Sequence, residues 1–137
     1  MIPSDTILLL EDDENDIVIM KRALKSAGLS NRLLVIEDGK AAIDYFAGKG
    51  EYADRARFPL PALVFVDINL PLRTGIAVLE FLQGMREFSD VIRIVLTSSN
   101  LQSDIQRAYR AGANSYVVKP PTPEKLVEIA GAFKLIK

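Results

Sequence analysis

The sequence predicts an α/β fold, a doubly wound five-stranded parallel sheet with five helices on its two faces. Three observations lead there. Five short apolar runs rich in β-branched residues are near-continuous instead of alternating, as strands buried on both faces require. The segments between and after them carry apolar residues at helical spacing. Strand and helix also alternate strictly, and crossovers between parallel strands then place helices on both sides of the sheet.

In chain order, the first strand is expected at Ile7 to Leu10, followed by a helix with Ile17, Met20, Leu24 and Ala27 on one face and a stop at Gly28. The second strand, Leu33 to Ile36, leads to Asp38 as a helix start, then Ala42, Ile43 and Phe46, with a stop at Gly48. The third, Leu63 to Val66, precedes a helix bearing Val78, Leu79, Leu82 and Met85. The fourth, Ile92 to Leu96, is followed by Asn100 as a start, Ile105, Ala108 and Tyr109, and a stop at Gly112. The fifth, Tyr116 to Val118, leads through Thr122 into a last helix with Leu126, Ile129, Ala130 and Phe133. The connection from Gly48 to Pro61 exceeds the usual ~2 to 6 residues of such turns. It reads equally as a tolerated surface excursion, since long loops cost little entropy, or as a partner contact.

With 137 residues, 49% of them hydrophobic, the chain is expected to form a single domain over 1–137 with no output domain. Its apolar runs fall far short of the roughly 18 residues of a membrane span and no signal peptide is visible, so a soluble, cytoplasmic protein with no membrane partner is expected. Seventeen Lys+Arg balance 18 Asp+Glu, which argues against direct nucleic-acid binding. The chain has no Cys and no His, which excludes thiolate nucleophiles, imidazole-ligated zinc and Ser-His-Asp triads. Carboxylates, hydroxyls, Lys and hard cations remain.

In an open parallel sheet, ligands bind beyond the carboxyl ends of the strands. Those ends are polar here: Glu11-Asp12-Asp13, Asp67-Ile68-Asn69, Thr97-Ser98-Ser99 and Lys119-Pro120. The acidic run from Glu11 to Glu14 has a plain reading as a helix cap. Asp67 directly follows Ala-Leu-Val-Phe-Val, at the edge of a core where an unpaired charge is costly. If the first and third strands are neighbours, Asp12 and Asp67 converge, and two carboxylates ~4 Å apart repel by roughly 4 kcal/mol at an effective dielectric near 20. Such a cluster calls for a cation, and all-oxygen ligands with room for water and phosphate suit Mg²⁺ better than Ca²⁺. Lys119 and Thr97 then supply the ammonium and hydroxyl that a phosphoryl group on Asp67 would need. The plain alternatives are that Lys119 only pairs with the acidic cluster and that Thr97 and Ser98 only begin a turn.

At these residues the sequence resembles the receiver domains of response regulators, from about Asp5 to Ile136. The acidic pair Glu11 and Asp12, the acceptor Asp67 within Asp-Ile-Asn-Leu-Pro, the turn glycine Gly75, the hydroxyl Thr97 and Lys119-Pro120 follow in the family's order. The resemblance implies a flavodoxin-like (CheY-like) sheet of strand order 2-1-3-4-5. It implies Mg²⁺ held by Asp12, Asp67 and the backbone carbonyl of Asn69, with Glu11 acting mainly through water. Lys119 and Thr97 would contact the phosphoryl oxygens, Tyr116 would be the aromatic switch paired with Thr97, and Asn69 and Ser99 would tune dephosphorylation. Tyr116 also reads as a plain strand aromatic with an exposed tip. A cis Lys119-Pro120 bond is common in the family, and the sequence leaves either isomer open.

Two positions depart from the family pattern, Thr74 where an acidic residue is usual and Pro121 where an aromatic is common. Neither touches the acceptor. The long loop, Asp-Ile-Asn-Leu-Pro and Thr-Ser-Ser resemble stand-alone regulators that serve phytochrome-type histidine kinases. The implied partners are a sensor histidine kinase or phosphotransfer protein, a downstream protein target, and a second copy through the fourth helix, fifth strand and fifth helix. Leu126, Phe133, Leu135 and Ile136 offer apolar surface for that dimer, although core positions are the simpler reading. The chain would not be an enzyme but a phosphoacceptor that assists its own Mg²⁺-dependent phosphorylation and dephosphorylation.

Three other functions fit less well. A haloacid-dehalogenase type phosphatase needs an Asp two residues after its nucleophile, where this chain has Asn69. A flavodoxin-like cofactor binder needs a Ser/Thr/Gly phosphate loop after the first strand, where this one is acidic. A receiver-like interaction module that is never phosphorylated has no need of Asp12, Asp67, Thr97 and Lys119 together.

Overall fold

Side chains alternate across the strands, and the two sets fill two separate cores. The computed structural model describes residues 5–133. Its elements are β1 (Ile7–Leu10), α1 (Glu14–Ser26), β2 (Leu33–Ile36), α2 (Gly39–Ala47), β3 (Leu63–Asp67), α3 (Gly75–Leu82), β4 (Ile92–Thr97), α4 (Gln102–Arg110), β5 (Ser115–Val118) and α5 (Pro123–Ala132), with short 3-10 turns at Gly50–Ala53 and Arg86–Phe88. The sheet is parallel in the order β2-β1-β3-β4-β5. Leu8, Leu10, Val64, Val66 and Val95 pack with α2, α3 and α4 through Tyr45, Phe46, Leu79, Leu82 and Ala108. Ile7, Leu9, Leu63, Phe65, Ile94 and Leu96 pack on the opposite side with Met20 and Leu24 of α1 and Leu126 and Ile129 of α5.

The expected helix punctuation holds with one correction. Asp38 and Thr122 cap α2 and α5 by accepting from the N–H of Ala41 and Lys125. Gly48 closes α2 at φ 70°, a left-handed conformation that suits a residue without Cβ. Asn100 does not start α4: the cap position is Leu101, and the Ser99 hydroxyl accepts the Leu101 N–H instead. Thr74, one departure from the family pattern, has a local use as the cap of α3, accepting from the Ala77 N–H at 3.1 Å.

The segment from Gly48 to Pro61 is packed, not loose. The Arg55 guanidinium donates to the carbonyls of Tyr45 (2.8 Å), Phe46 (2.7 Å) and Phe58 (3.2 Å), and the Tyr45 hydroxyl donates to Pro59 O at 2.6 Å. Tyr45, Tyr52 and Phe58 meet tilted or edge-on around this clamp. The segment joins α2 to the start of β3, so it lies at the end of the sheet opposite the carboxyl ends of the strands. Leu126 is fully buried, so it contributes no surface to a dimer, and Phe133 is half-buried against the α1/α5 core. Leu135 and Ile136 lie outside the described residues. The exposed apolar side chains on the α4, β5 and α5 side are Leu101, Tyr109, Val118 and Val127. Among the described residues, no helix is long and apolar enough to cross a membrane.

Candidate functional site

β1 and β3 are neighbours, with Leu10 paired to Val66, so the residues that follow them are brought side by side. The acidic run divides between two tasks. Asp13 caps α1, its Oδ1 accepting the N–H of Asp16 at 3.0 Å, which bears out the capping reading for that residue. Glu11 and Asp12 turn toward Asp67 instead, and each of the three offers a carboxylate oxygen within 4.8 Å of the others. Glu11 and Asp67 are buried and Asp12 is exposed, so the cluster has one open side.

Lys119, at the end of β5, neutralises part of this charge. Its Nζ donates to Glu11 Oε1 at 2.5 Å, Asp16 Oδ2 at 2.9 Å and Asp67 Oδ2 at 3.2 Å, which uses all three ammonium hydrogens. These bonds hold the ammonium charged and raise its pKa against the effect of burial. Burial first, and the neighbouring Asp67 carboxyl second, push the Glu11 carboxyl up to about 8 against the pull of Lys119. The other oxygen of this carboxylate, Asp67 Oδ1, takes the Asn69 N–H at 3.0 Å. Asn69 itself is exposed at the rim.

Lys119-Pro120 is cis, which the sequence had left open. The Lys119 N–H is bonded to Thr97 O at 2.8 Å, which ties the ends of β5 and β4 together. The Thr97 hydroxyl lies in the β4–α4 turn, accepting the Ser99 N–H at 3.0 Å and donating to Ser99 O at 3.2 Å. The turn reading of Thr97 therefore holds here, and the side chain is buried at the same strand end as Asp67. Tyr116 is half-buried and meets Tyr109 of α4 edge-on, with ring centroids 6.2 Å apart.

Sequence reading missed Asp16. The signal was present: a fifth carboxylate in the first turn of α1 lies close in sequence to a strand-end cluster. The donor set suits a small hard cation, because three carboxylates converge with no sulfur or nitrogen ligand.

A parallel sheet of this order, with three carboxylates, one of them the buried Asp67, and a lysine at its carboxyl edge, is the arrangement of a phosphoacceptor module. The chain belongs to the response regulator receiver domain family, which matches residues 7–131, and it acts in two-component signal transduction. It is 31% identical over 117 residues to the response regulator Rcp1 of Synechocystis sp., covering 85% of this chain and 78% of Rcp1. A solved structure of Rcp1 is in its Mn²⁺-bound form (28% identity, TM-score 0.75, 94% of this chain and 91% of that one). The bacteriophytochrome response regulator RtBRR superposes with TM-score 0.85 at 32% identity, over 98% of this chain and 80% of its own. The phosphorylated cyanobacterial phytochrome response regulator RcpA does so with TM-score 0.77 at 28% identity, over 96% and 91%. This chain is thus similar to phytochrome-associated regulators in fold and in sequence.

Proposed function

We propose that Asp67 accepts a phosphoryl group from a phosphohistidine of a sensor histidine kinase or phosphotransfer protein in a Mg²⁺-dependent reaction. One observation carries the assignment: a buried carboxylate is held on one oxygen by the Asn69 N–H and on the other by Lys119, beside two further carboxylates. An Asp67 oxygen forms the new bond to phosphorus while the phosphorus–nitrogen bond to the donor imidazole breaks, and the imidazole leaves with that electron pair. The donor must be another molecule, because this chain has no His.

Asp12, Asp67 and the Asn69 carbonyl are the proposed holders of Mg²⁺, with Glu11 acting mainly through water. When bound, the ion offsets the charge of the carboxylates and of the incoming phosphoryl oxygens. Lys119 neutralises a phosphoryl oxygen, and the Thr97 hydroxyl turns out of its bond with Ser99 to donate to another. That turn frees room beside Tyr116, and its packing against Tyr109 couples the site to the α4–β5 surface. Asn69 and Ser99 flank the route of the water that later hydrolyses the acyl phosphate.

The resemblance to RtBRR and RcpA supports a phytochrome-type kinase as the donor. The exposed Leu101, Tyr109, Val118 and Val127 support a protein contact on α4, β5 and α5, with a downstream target or a second copy.

Intact-mass spectrometry after incubation with acetyl phosphate tests the acceptor. A single phosphoryl adduct that needs Mg²⁺ and is lost in Asp67→Asn is the expected result. No adduct under any condition would leave the chain as an unphosphorylated interaction module.

A further inference from the structure

Asp16 stands on α1, outside the acidic run at the end of β1, yet its carboxylate reaches Lys119 Nζ at 2.9 Å. Three acceptors from three elements surround this ammonium: Glu11 after β1, Asp16 on α1 and Asp67 ending β3. The bond to Asp67 is the longest of the three, at 3.2 Å. Two short bonds to residues that do not react thus define where the third N–H points. A lysine side chain is a flexible four-carbon stem, and a single partner would leave its head free to swing. We infer that Asp16 is a positioning residue which, together with Glu11, aims the third N–H of Lys119 at the acceptor carboxylate and at the phosphoryl group formed on it.

This inference rests on the proposed phosphorylation of Asp67. When the acyl phosphate forms, Asp67 Oδ2 gives up its negative charge and a phosphoryl oxygen takes the N–H it had held. The bonds to Glu11 and Asp16 stay in place, so the ammonium needs no large rearrangement as charge develops. The plain alternative is a first-turn carboxylate at the positive end of α1. Against it, the Asp16 carboxylate is only one-third exposed, and its pKa is lowered chiefly by the bond to Lys119.

The test compares phosphorylation by acetyl phosphate and Mg²⁺ in the wild type, Asp16→Ala and Asp16→Asn, by intact mass. Asparagine keeps an oxygen acceptor at the same place and alanine does not, while both remove the first-turn charge. The expected result is a roughly tenfold slower reaction in Asp16→Ala and a rate within about twofold of wild type in Asp16→Asn. A ¹⁵N-detected ammonium signal of Lys119, slow to exchange in the wild type and in Asp16→Asn, should broaden in Asp16→Ala. Wild-type rates in Asp16→Ala, or equal losses in both variants, would overturn the positioning role while leaving Asp67 as acceptor. No adduct in the wild type would instead overturn the phosphorylation on which the inference rests.

Discussion

Gly75 opens α3 directly against the backbone of Asp67, so that a Cβ on Gly75 would fall inside the Asp67 carbonyl. The Gly75 N–H is also bonded to Ile68 O at 2.9 Å. The clash is with backbone, which cannot swing aside as a flexible side chain can. Gly75→Ala is therefore expected to cost about 1–3 kcal/mol in urea unfolding. It should also slow phosphorylation of Asp67, because relief of the clash displaces the acceptor itself. An unchanged midpoint would mean that the approach is looser than described.

Lys119→Ala would leave Glu11, Asp16 and Asp67 without the ammonium they share. Removing one member of such a group is expected to destabilise the fold by about 3–5 kcal/mol near neutral pH. A divalent cation bound at the cluster stabilises by mass action and should recover part of that loss. Thermal melts with and without Mg²⁺ should show a larger upward shift in Lys119→Ala than in the wild type.

Tyr45 is fully buried and donates to Pro59 O, and burial pushes its phenol up to about 12 from an ordinary value near 10. The folded state then holds this proton more tightly than the unfolded chain. Its contribution is complete below pH 10 and is lost as pH rises through 12. Stability should fall over that range, and Tyr45→Phe should flatten this part of the fall at a cost of about 1 kcal/mol at neutral pH. Ultraviolet titration of the four tyrosines should show one ionising near pH 12 and missing from the variant.

Arg55→Ala removes three donors from the carbonyls of Tyr45, Phe46 and Phe58. The segment from Gly48 to Pro61 should then open, at a cost of about 1–3 kcal/mol, and be cut faster in limited proteolysis. Phosphorylation of Asp67 should keep its rate, because the segment lies at the opposite end of the sheet.

All five strands were legible as apolar runs, within a residue or so at each end. The ends differ where a polar residue continues the ladder: Asp67 pairs with Leu96, and Thr97 with Val118. A hydrophobicity pattern cannot follow a ladder made by backbone groups into a polar side chain. The expectation of strands buried on both faces holds best for β1, β3 and β4. It weakens at the edges, where Leu33, Leu34 and Val35 are half-buried and Val118 is exposed. Asn100 failed as a helix start because α4 begins one residue later, at the Leu101 cap, where no side chain bonds the free N–H groups.

The alternation of elements, the polar strand ends and the candidates Glu11, Asp12, Asp67, Thr97 and Lys119 were legible in the sequence, because each depends on local composition and order. That Asp13 caps a helix while Glu11 and Asp12 face Asp67 emerges from the folded chain alone. The fold alone placed Asp16 on Lys119, 103 residues away in the chain, and bound the Thr97 hydroxyl to its own turn. The physical reason is the same in each case. A carboxylate or hydroxyl bonds the donor or acceptor that the fold brings within about 3 Å, and sequence distance carries no information about that approach.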